Sequence, residues 1–239
     1  MGRASARTVA GSAAKAVARP RSSVQGDPPR LSEAMTVALG ARIREARGRA
    51  SLGMRELARS VGVSASLLSQ IERGNVKPSV DTLWAIVREL SISLDDLFGP
   101  RDGAVSTANA PASQSPVMRA GAGKTIRLAR GVDWQQLTAG RDPDADFVLV
   151  TYAVGASSSE SGEMLRHHGR EYGYVISGRL GVAIGFEEHV LEPGDAVSFD
   201  SDRPHRLWAV GSEPAVAVWL VMRAGGEDAP RRRAARSVK

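Results

Sequence analysis

Hydrophobic residues follow two different patterns along the chain. In the first part they recur at helical spacing, for example at Leu39, Ile43 and Ala46. From Phe147 onward they form short alternating stretches bounded by Gly, Pro or Asp, which predict β-strands over 147–152, 172–176, 180–184, 196–199 and 215–222. The sequence therefore predicts a multidomain α + β protein, with a helical domain at residues 33–99 and an antiparallel β-barrel at residues 124–222.

The helical domain is expected to contain five helices. One is predicted over 37–50 and another over 80–90, where Ser79 can cap the first free amides. In the second of these, Trp84 lies one turn from Val80 and Val87, so we expect it to belong to the core of the helical domain rather than to stack on DNA. A last short helix follows Ser93, whose spacing to Asp96 fits a helix start. Between them, residues 54–74 have the spacing of two short helices joined by a tight turn.

The turn between the two central helices has the residues that DNA-binding helix pairs use. Gly62 can adopt the positive φ of a tight turn, and the Ser64 hydroxyl can accept a hydrogen bond from a free amide of the next helix. The outward face of that helix can approach base edges, and the loop after it can contact phosphate. The expected DNA-binding residues are Ser64, Ala65, Ser66, Ser69, Gln70, Arg73, Asn75 and Lys77. A helical hairpin without a DNA-binding role would bury the same apolar positions, but it would not need Gly62, Ser64 and Gly74 in these places.

The same stretch resembles the phage-repressor-like (XRE) helix-turn-helix family. The family pattern is a Leu-Ala pair, a glycine, a serine-rich helix start and an Ile-Glu-x-Gly ending, which the chain matches with Leu57-Ala58, Gly62, Ser64 and Ile71–Gly74. The resemblance implies a transcriptional regulator that binds double-stranded operator DNA. Because one helix-turn-helix reads too few base pairs to find a single site in a genome, we expect a homodimer on an inverted repeat.

Composition limits the class of protein. The chain of 239 residues has no cysteine, which excludes disulfides, zinc-thiolate sites and thiol catalysis. It also has no apolar run as long as a membrane span. A reducing cytoplasm suits such a chain, so we expect cytoplasmic localisation and no membrane partner.

The net charge of +6 is unevenly distributed. Residues 1–32 carry six basic groups against one acidic, and residues 223–239 carry six against two, whereas residues 124–222 carry nine against fourteen. We expect residues 1–32 to be a disordered basic tail, and we expect the basic C-terminal tail either to attract phosphate non-specifically or to remain solvated without a partner. Residues 100–123 are rich in Gly, Ala, Ser and Pro, and they are predicted to form a flexible linker.

The second domain resembles the cupin family, whose fold is a small jelly-roll barrel. Its first motif is matched by His167–Gly178, and its second by Pro193–Asp195 through Pro204-His205. The whole arrangement resembles XRE regulators that carry a C-terminal cupin sensor domain. The resemblance implies a small-molecule effector bound at the barrel mouth.

The cupin resemblance also implies a set of polar residues in that mouth. The family supplies two histidines and a glutamate from the first motif and one histidine from the second, which correspond here to His167, Glu171 and His205, while Leu165 occupies the place of the first histidine. Two histidines and a carboxylate can hold Fe(II), Mn(II) or a similar divalent metal. Because Leu165 removes one ligand, we favour a metal-free pocket over a metal site, and no cofactor is certain.

The expected ligand site includes further residues near the mouth. Cations and aromatic rings can recognise a carboxylate or a planar metabolite, so the predicted ligand-binding residues are His167, Glu171, Tyr174, His205, Arg166 and Trp208. We therefore expect a non-enzymatic transcriptional regulator that senses a small-molecule effector. Two alternatives stay open: a cupin dioxygenase or isomerase fused to a DNA-binding domain, and a constitutive DNA-binding protein that uses its barrel only to dimerise.

Overall fold

The computed structural model describes residues 29–99, 116–159 and 162–223. Most of the N-terminal tail predicted to be disordered, of the basic C-terminal tail and of the predicted flexible linker lies outside these residues. The described parts are 29–32 of the first tail, Arg223 of the second and 116–123 of the linker. Within the described ranges, no helix has both the length and the apolar character needed to cross a membrane.

The described chain begins with five α-helices, so the prediction of a five-helix domain is confirmed. They are α1 (Pro29–Arg49), α2 (Met54–Ser60), α3 (Ala65–Glu72), α4 (Val80–Glu89) and α5 (Leu94–Phe98). Helix α1 begins at Pro29 and not at residue 37, so it includes the end of the predicted disordered tail. A proline suits the first helical turn, because the amide hydrogen that it lacks would have no partner there.

Capping residues fix the ends of the short helices. The Ser64 hydroxyl accepts a hydrogen bond from the Leu67 amide at 3.0 Å, and the Ser79 hydroxyl accepts one from the Thr82 amide at 3.1 Å. Gly62 has a φ of 73°, in the left-handed region that favours glycine. The turn before α3 therefore has the geometry that the sequence predicted.

A buried ion pair joins α1 to the end of α3. Arg47 donates from Nε and Nη2 to the two carboxylate oxygens of Glu72 at 2.6 and 2.9 Å. The same guanidinium donates from Nη1 to the Leu52 carbonyl at 3.0 Å. Next to this pair, Leu68 and Ile71 of α3 are fully buried in the core. The orientation of α3 against α1 is therefore set by both apolar packing and a bidentate ion pair.

Nine β-strands follow in the described part of the chain. They are β1 (Thr125–Arg127), β2 (Val132–Gln136), β3 (Ala145–Tyr152), β4 (Arg170–Ser177), β5 (Arg179–Ile184), β6 (Glu187–Leu191), β7 (Ala196–Asp200), β8 (His205–Val210) and β9 (Ala215–Met222). The alternating pattern predicted β3, β4, β5, β7 and β9, whereas β1, β2, β6 and β8 were missed.

The strands form two antiparallel sheets. One has six strands in the order β1-β2-β3-β9-β4-β7, and the other has three in the order β6-β5-β8. In β9, alternate side chains from Ala215 to Val221 are buried, including that of Trp219. The prediction of an antiparallel jelly-roll barrel is therefore confirmed.

The helical domain packs directly against the barrel. Asp95 of α5 accepts hydrogen bonds from Gln136 Nε2 at 2.7 Å and from the Asp142 amide at 3.0 Å. In the opposite direction, the buried Asp146 of β3 accepts a hydrogen bond from the Leu94 amide at 2.9 Å. These polar contacts hold α5 on the barrel and bring α4 next to the barrel interior.

Candidate functional site

The first candidate surface is formed by α3 and the loop after it. Ser66 is exposed, and Ser69 and Gln70 are partly exposed. Their spacing of three and four residues places them on one face of the helix. Leu68 and Ile71 occupy the other face, which is buried. This exposed polar face is of the kind that enters the major groove of DNA.

Side chains around this face hydrogen-bond to one another. Asn75 Nδ2 donates to Gln70 Oε1 at 2.9 Å, and Arg73 donates to the Ser69 hydroxyl. Ser64 serves as the cap of α3, while Ala65 and Lys77 at the edge of the surface are partly buried. DNA contact by the eight predicted residues stays a prediction.

The second candidate site lies inside the barrel, where three buried side chains meet. Glu171 is on β4, His205 is at the start of β8, and His167 is in the segment before β4. The Nε2 atom of His167 lies 2.8 Å from Oε1 of Glu171, and the Nε2 atom of His205 lies 3.1 Å from the same oxygen. The structure thus brings together the residues that the cupin resemblance implied, which we call the triad.

The outer atoms of the triad are held by the surrounding protein. Nδ1 of His205 lies 2.9 Å from a backbone carbonyl oxygen, and Nδ1 of His167 lies 3.3 Å from another. Trp219 Nε1 donates to Glu171 Oε2 at 2.6 Å. Because a carbonyl oxygen only accepts, each Nδ1 carries the proton, and both Nε2 atoms are directed toward Oε1 of Glu171.

The triad is electrostatically coupled. Burial alone would raise the pKa of the Glu171 carboxyl, but the imidazoles of His167 and His205 outweigh burial and hold this pKa well below its usual value. Burial would also lower the pKa of His205, yet the neighbouring Glu171 carboxylate raises it above its usual value. The carboxylate of Glu171 and the imidazole of His205 therefore each favour the charged form of the other.

The donor atoms of the triad suit a divalent metal ion. Two imidazole nitrogens and a carboxylate oxygen lie within 4.8 Å of one another. His167 Nε2 and Glu171 Oε1 are buried and lack a well-aligned hydrogen bond, and protonation at Nδ1 leaves the Nε2 lone pairs for a ligand. The triad can therefore hold a divalent cation such as Fe(II) or Mn(II), with further coordination positions open.

Glu171 and His205 of the triad border a small, mostly apolar cavity of about 30 Å³. Most of its walls are barrel side chains, which include Trp134, Val148, Val150, Tyr152, Ser158, Leu165, Leu207, Trp219 and Val221. The remaining wall is formed by Val80 and Trp84 of α4. The Trp84 ring stacks on the His167 imidazole with ring centroids 5.0 Å apart. The DNA-binding domain therefore contributes part of the barrel site.

Helix α4 also brings a carboxyl group close to the triad. The Oδ1 atom of Asp81 is buried and has no hydrogen-bond partner. Burial raises the pKa of Asp81 to about 6, and attraction to His205 partly opposes this shift. The charge on His205 of the triad therefore affects the pKa of Asp81, a residue of the helical domain.

Three residues that were predicted to bind the ligand lie outside the cavity. Tyr174 is three residues after Glu171 on β4, and Trp208 is three residues after His205 on β8. Residues an odd number apart on a strand point to opposite faces, so both rings lie on the outside of the barrel. Arg166 is exposed and donates to a backbone carbonyl at 3.2 Å. None of the three therefore lines the cavity, and a ligand contact by any of them stays a prediction.

Sequence reasoning missed the role of Trp84 in the site. Its helical spacing to Val80 and Val87 was interpreted as packing inside the helical domain. The ring instead lies between the two domains, with its centroid 5.6 Å from that of Trp134 as well as against His167. The sequence held one signal for this contact. Leu83, Ile86 and Val87 already form the face of α4 that is buried, so the large apolar ring of Trp84 beside that face indicated a second packing partner.

Comparisons with known protein families agree with this architecture. The helix-turn-helix family HTH_3 matches residues 43–97, and the cupin domain family Cupin_2 matches residues 148–221. The first match covers α3 and α4, and the second covers Glu171 and His205 of the triad.

Whole-chain relatives have the same two parts in the same order. The HTH-type transcriptional regulator PuuR of Escherichia coli is 25% identical over 171 residues, which are 71% of this chain and 86% of PuuR. The regulator SutR of the same organism is 24% identical over 180 residues, 74% of this chain and 90% of SutR. A solved HTH_3 family transcriptional regulator from Vibrio cholerae has the same fold, with a TM-score of 0.59 and 23% identity over 81% of this chain and 99% of its own. This chain has an XRE-type helix-turn-helix (HTH_3) domain followed by a C-terminal cupin domain, and it is similar in this to the transcriptional regulators named above.

Proposed function

We propose that the protein is a ligand-responsive regulator, in which α3 reads an operator and the cupin cavity binds a small effector. The observation that carries this proposal is the triad, a set of buried and converging polar groups in an otherwise apolar cavity. A barrel core does not need such groups, because burying charged side chains is unfavourable unless they have a partner. Binding sites commonly combine an apolar cavity with a few polar groups that orient the ligand.

Recognition of the operator is assigned to the exposed face of α3. Ser66, Ser69 and Gln70 are short or flexible polar side chains on that face. A glutamine side chain can pair with adenine through one donor and one acceptor. The Gln70 carboxamide is already oriented by its hydrogen bond from Asn75, and we infer that Gln70 is the main specificity residue.

Replacing Gln70 with alanine should weaken binding to the specific operator by about 1–3 kcal/mol and leave binding to random DNA nearly unchanged. The reason is that the lost hydrogen bonds go to base edges and not to phosphate. Titration of labelled operator and of random duplexes at one salt concentration measures the difference.

The matched control for Gln70→Ala is Lys77→Ala in the following loop. A lysine that contacts phosphate contributes to every sequence alike, so this variant should weaken both DNAs equally and flatten the dependence on salt. Equal losses on operator and random DNA for Gln70→Ala would remove Gln70 from base recognition.

We infer that the barrel serves sensing and not catalysis. Apart from the triad, the polar groups among the described cavity residues are Ser158, Tyr152 and the Trp84, Trp134 and Trp219 ring nitrogens, within a wall of aliphatic and aromatic side chains. PuuR and SutR are named as transcriptional regulators. A metalloenzyme remains the second candidate, because the triad can hold a divalent cation.

Sensing requires that effector and operator affinities depend on each other. In the full chain, a compound that raises the melting temperature in a screen of metabolites and divalent metals should change operator affinity by about 1–3 kcal/mol, and the operator should change affinity for the compound by the same factor. The variant His205→Ala should lose this effect and keep ligand-free operator binding. Turnover of a compound that leaves operator affinity unchanged would instead decide for an enzyme.

We further propose that the regulator acts as a homodimer held by its barrels. The outer face of the six-stranded sheet exposes a group of large apolar side chains, which we call the outer patch; it consists of Phe147, Tyr172, Tyr174, Val218 and Leu220. Contiguous exposed apolar surface of this kind is typical of protein interfaces. A dimer would also supply the two recognition helices that an inverted repeat requires.

A further inference from the structure

Helix α4 closes the barrel site with a few weak contacts. Trp84 stacks on His167 with an angle of 21° between the ring planes, and its centroid is 5.6 Å from that of Trp134. At the start of α4, the Pro78 carbonyl accepts a hydrogen bond from the Ala129 amide at 2.9 Å. At its far end, Arg88 donates to a barrel carbonyl at 3.4 Å. The wall that α4 provides therefore rests mainly on the Trp84 ring.

The closed cavity is too small for an organic effector. Its volume of about 30 Å³ accommodates a metal ion or about two water molecules, whereas pockets for organic ligands measure roughly 300–1,000 Å³. An organic molecule that reaches the triad must therefore displace part of the wall. The barrel walls are strands bonded into sheets, so α4 is the wall that can move at the lowest free-energy cost.

Movement of α4 also moves the DNA-reading helix. Helix α4 packs on α2, which packs on α3, and Leu83 of α4, Leu57 of α2 and Leu68 of α3 are all fully buried. The Arg47–Glu72 ion pair fixes α3 within that unit. The two helices therefore shift together relative to the barrel.

From these observations we propose that an organic effector enters the triad site by displacing the Trp84 ring from His167, so that effector binding tilts α4 and the helices packed on it away from the barrel while α5 stays bonded to the barrel. The inference rests on the proposed function and adds its mechanism of regulation. Trp84 is then a part of the effector site that belongs to the DNA-binding domain. Effector and docked α4 compete for the same space, which couples site occupancy to the position of α3.

The displaced ring defines the class of effector that the site fits. A planar or apolar group can occupy the place of the indole between His167 and Trp134. A polar group at one end of the molecule can then reach Glu171 and His205, which are the buried charged partners in the cavity. We therefore infer a small planar effector with one polar end.

Acylation of histidine by diethyl pyrocarbonate tests this closure without a known effector. The reagent is itself an organic molecule too large for the closed cavity, so it should reach His167 and His205 only when α4 opens. In the full chain, Trp84→Ala should raise their acylation rates by about tenfold or more, with Trp84→Phe in between. The exposed His168 and His189 serve as internal controls, and their rates should not change.

Trp208→Ala is the matched tryptophan control, because that ring lies on the outside of the barrel against Arg206. It should leave the rates at His167 and His205 as in the parent protein. Equal rates in Trp84→Ala and Trp208→Ala would overturn the proposal. A thermal melt of each variant identifies any loss of folding, and Trp84→Phe keeps a packed ring if Trp84→Ala unfolds.

A second measurement follows the domains directly. Because the chain has no cysteine, dyes can be attached to Arg55→Cys on α2 and Glu188→Cys on β6, both at exposed positions. Acylation of His167 installs a group that the closed cavity cannot hold, so energy transfer between the dyes should fall, and removal of the group by hydroxylamine should restore it. Unchanged transfer after complete acylation of His167 would overturn the tilting of α4.

These measurements need neither operator nor effector, so their outcome is separate from that of the proposed function. If no compound changes operator affinity while Trp84 still protects the two buried histidines from acylation, sensing is contradicted and the closure by Trp84 is not. If a compound does change operator affinity but His167 of the parent protein is acylated as fast as an exposed histidine, the displacement of Trp84 is contradicted and sensing is not.

Discussion

Replacing Glu171 with alanine should lower the free energy of unfolding of the barrel by about 3–5 kcal/mol, since it removes one partner of a buried ionic network. The carboxylate lies next to His167 and His205 and accepts the hydrogen bond of Trp219 Nε1. All of these groups are buried. Alanine would leave two buried imidazoles and a buried indole N–H without their carboxylate partner, and it would also leave a void.

Urea unfolding of the full chain measures this loss, provided that the dependence on urea stays that of the parent protein. Glu171→Gln should lose less stability, because an amide oxygen can still accept from Trp219. The matched control is Glu188→Ala, whose carboxylate is exposed and lies 3.9 Å from Arg206; it should change stability by less than about 1 kcal/mol. A Glu171→Ala protein as stable as Glu188→Ala would show that the triad is not a coupled buried network.

Local chemistry explains which parts of the fold could be predicted from the sequence. Ser64 and Ser79 cap helices in the structure, and Gly62 has positive φ, because these preferences act within a few residues. The strand β6 (Glu187–Leu191) was missed because it lacks such a local signal. Its side chains are almost all exposed, so it has no buried face and no alternating pattern.

Predictions of the site failed where they depended on strand register or on contact between domains. His167, Glu171 and His205 followed from the motif. Tyr174 did not, because its position on β4 turns it to the face opposite Glu171. The contact of Trp84 with His167 joins residues from two domains, and no spacing within α4 specifies which barrel residue the ring meets.

Replacing Tyr174 with glutamate should convert the proposed dimer to a monomer and weaken operator binding by about 10²–10⁴-fold. Tyr174 is 51% exposed in the outer patch, beside Tyr172 and Phe147. A carboxylate there would be buried without a partner in an apolar interface, and the free energy of association would be lost. Each recognition helix would then bind its half-site alone, without the high effective concentration that a dimer provides.

Sedimentation velocity of the full chain gives the mass of each variant, and titration of an inverted-repeat operator gives its affinity. The matched control is Phe186→Glu, a fully exposed aromatic residue in the turn between β5 and β6 and outside the outer patch. It makes the same change of charge on the same barrel, so it should stay dimeric and bind operator like the parent protein. A parent chain that sediments as a monomer would contradict the proposed dimer. A Tyr174→Glu variant that stays dimeric would place the dimer interface outside the outer patch. If Tyr174→Glu is monomeric and still melts like the parent protein, the outer patch serves association and not folding, because an exposed tyrosine contributes little to the core of its own chain.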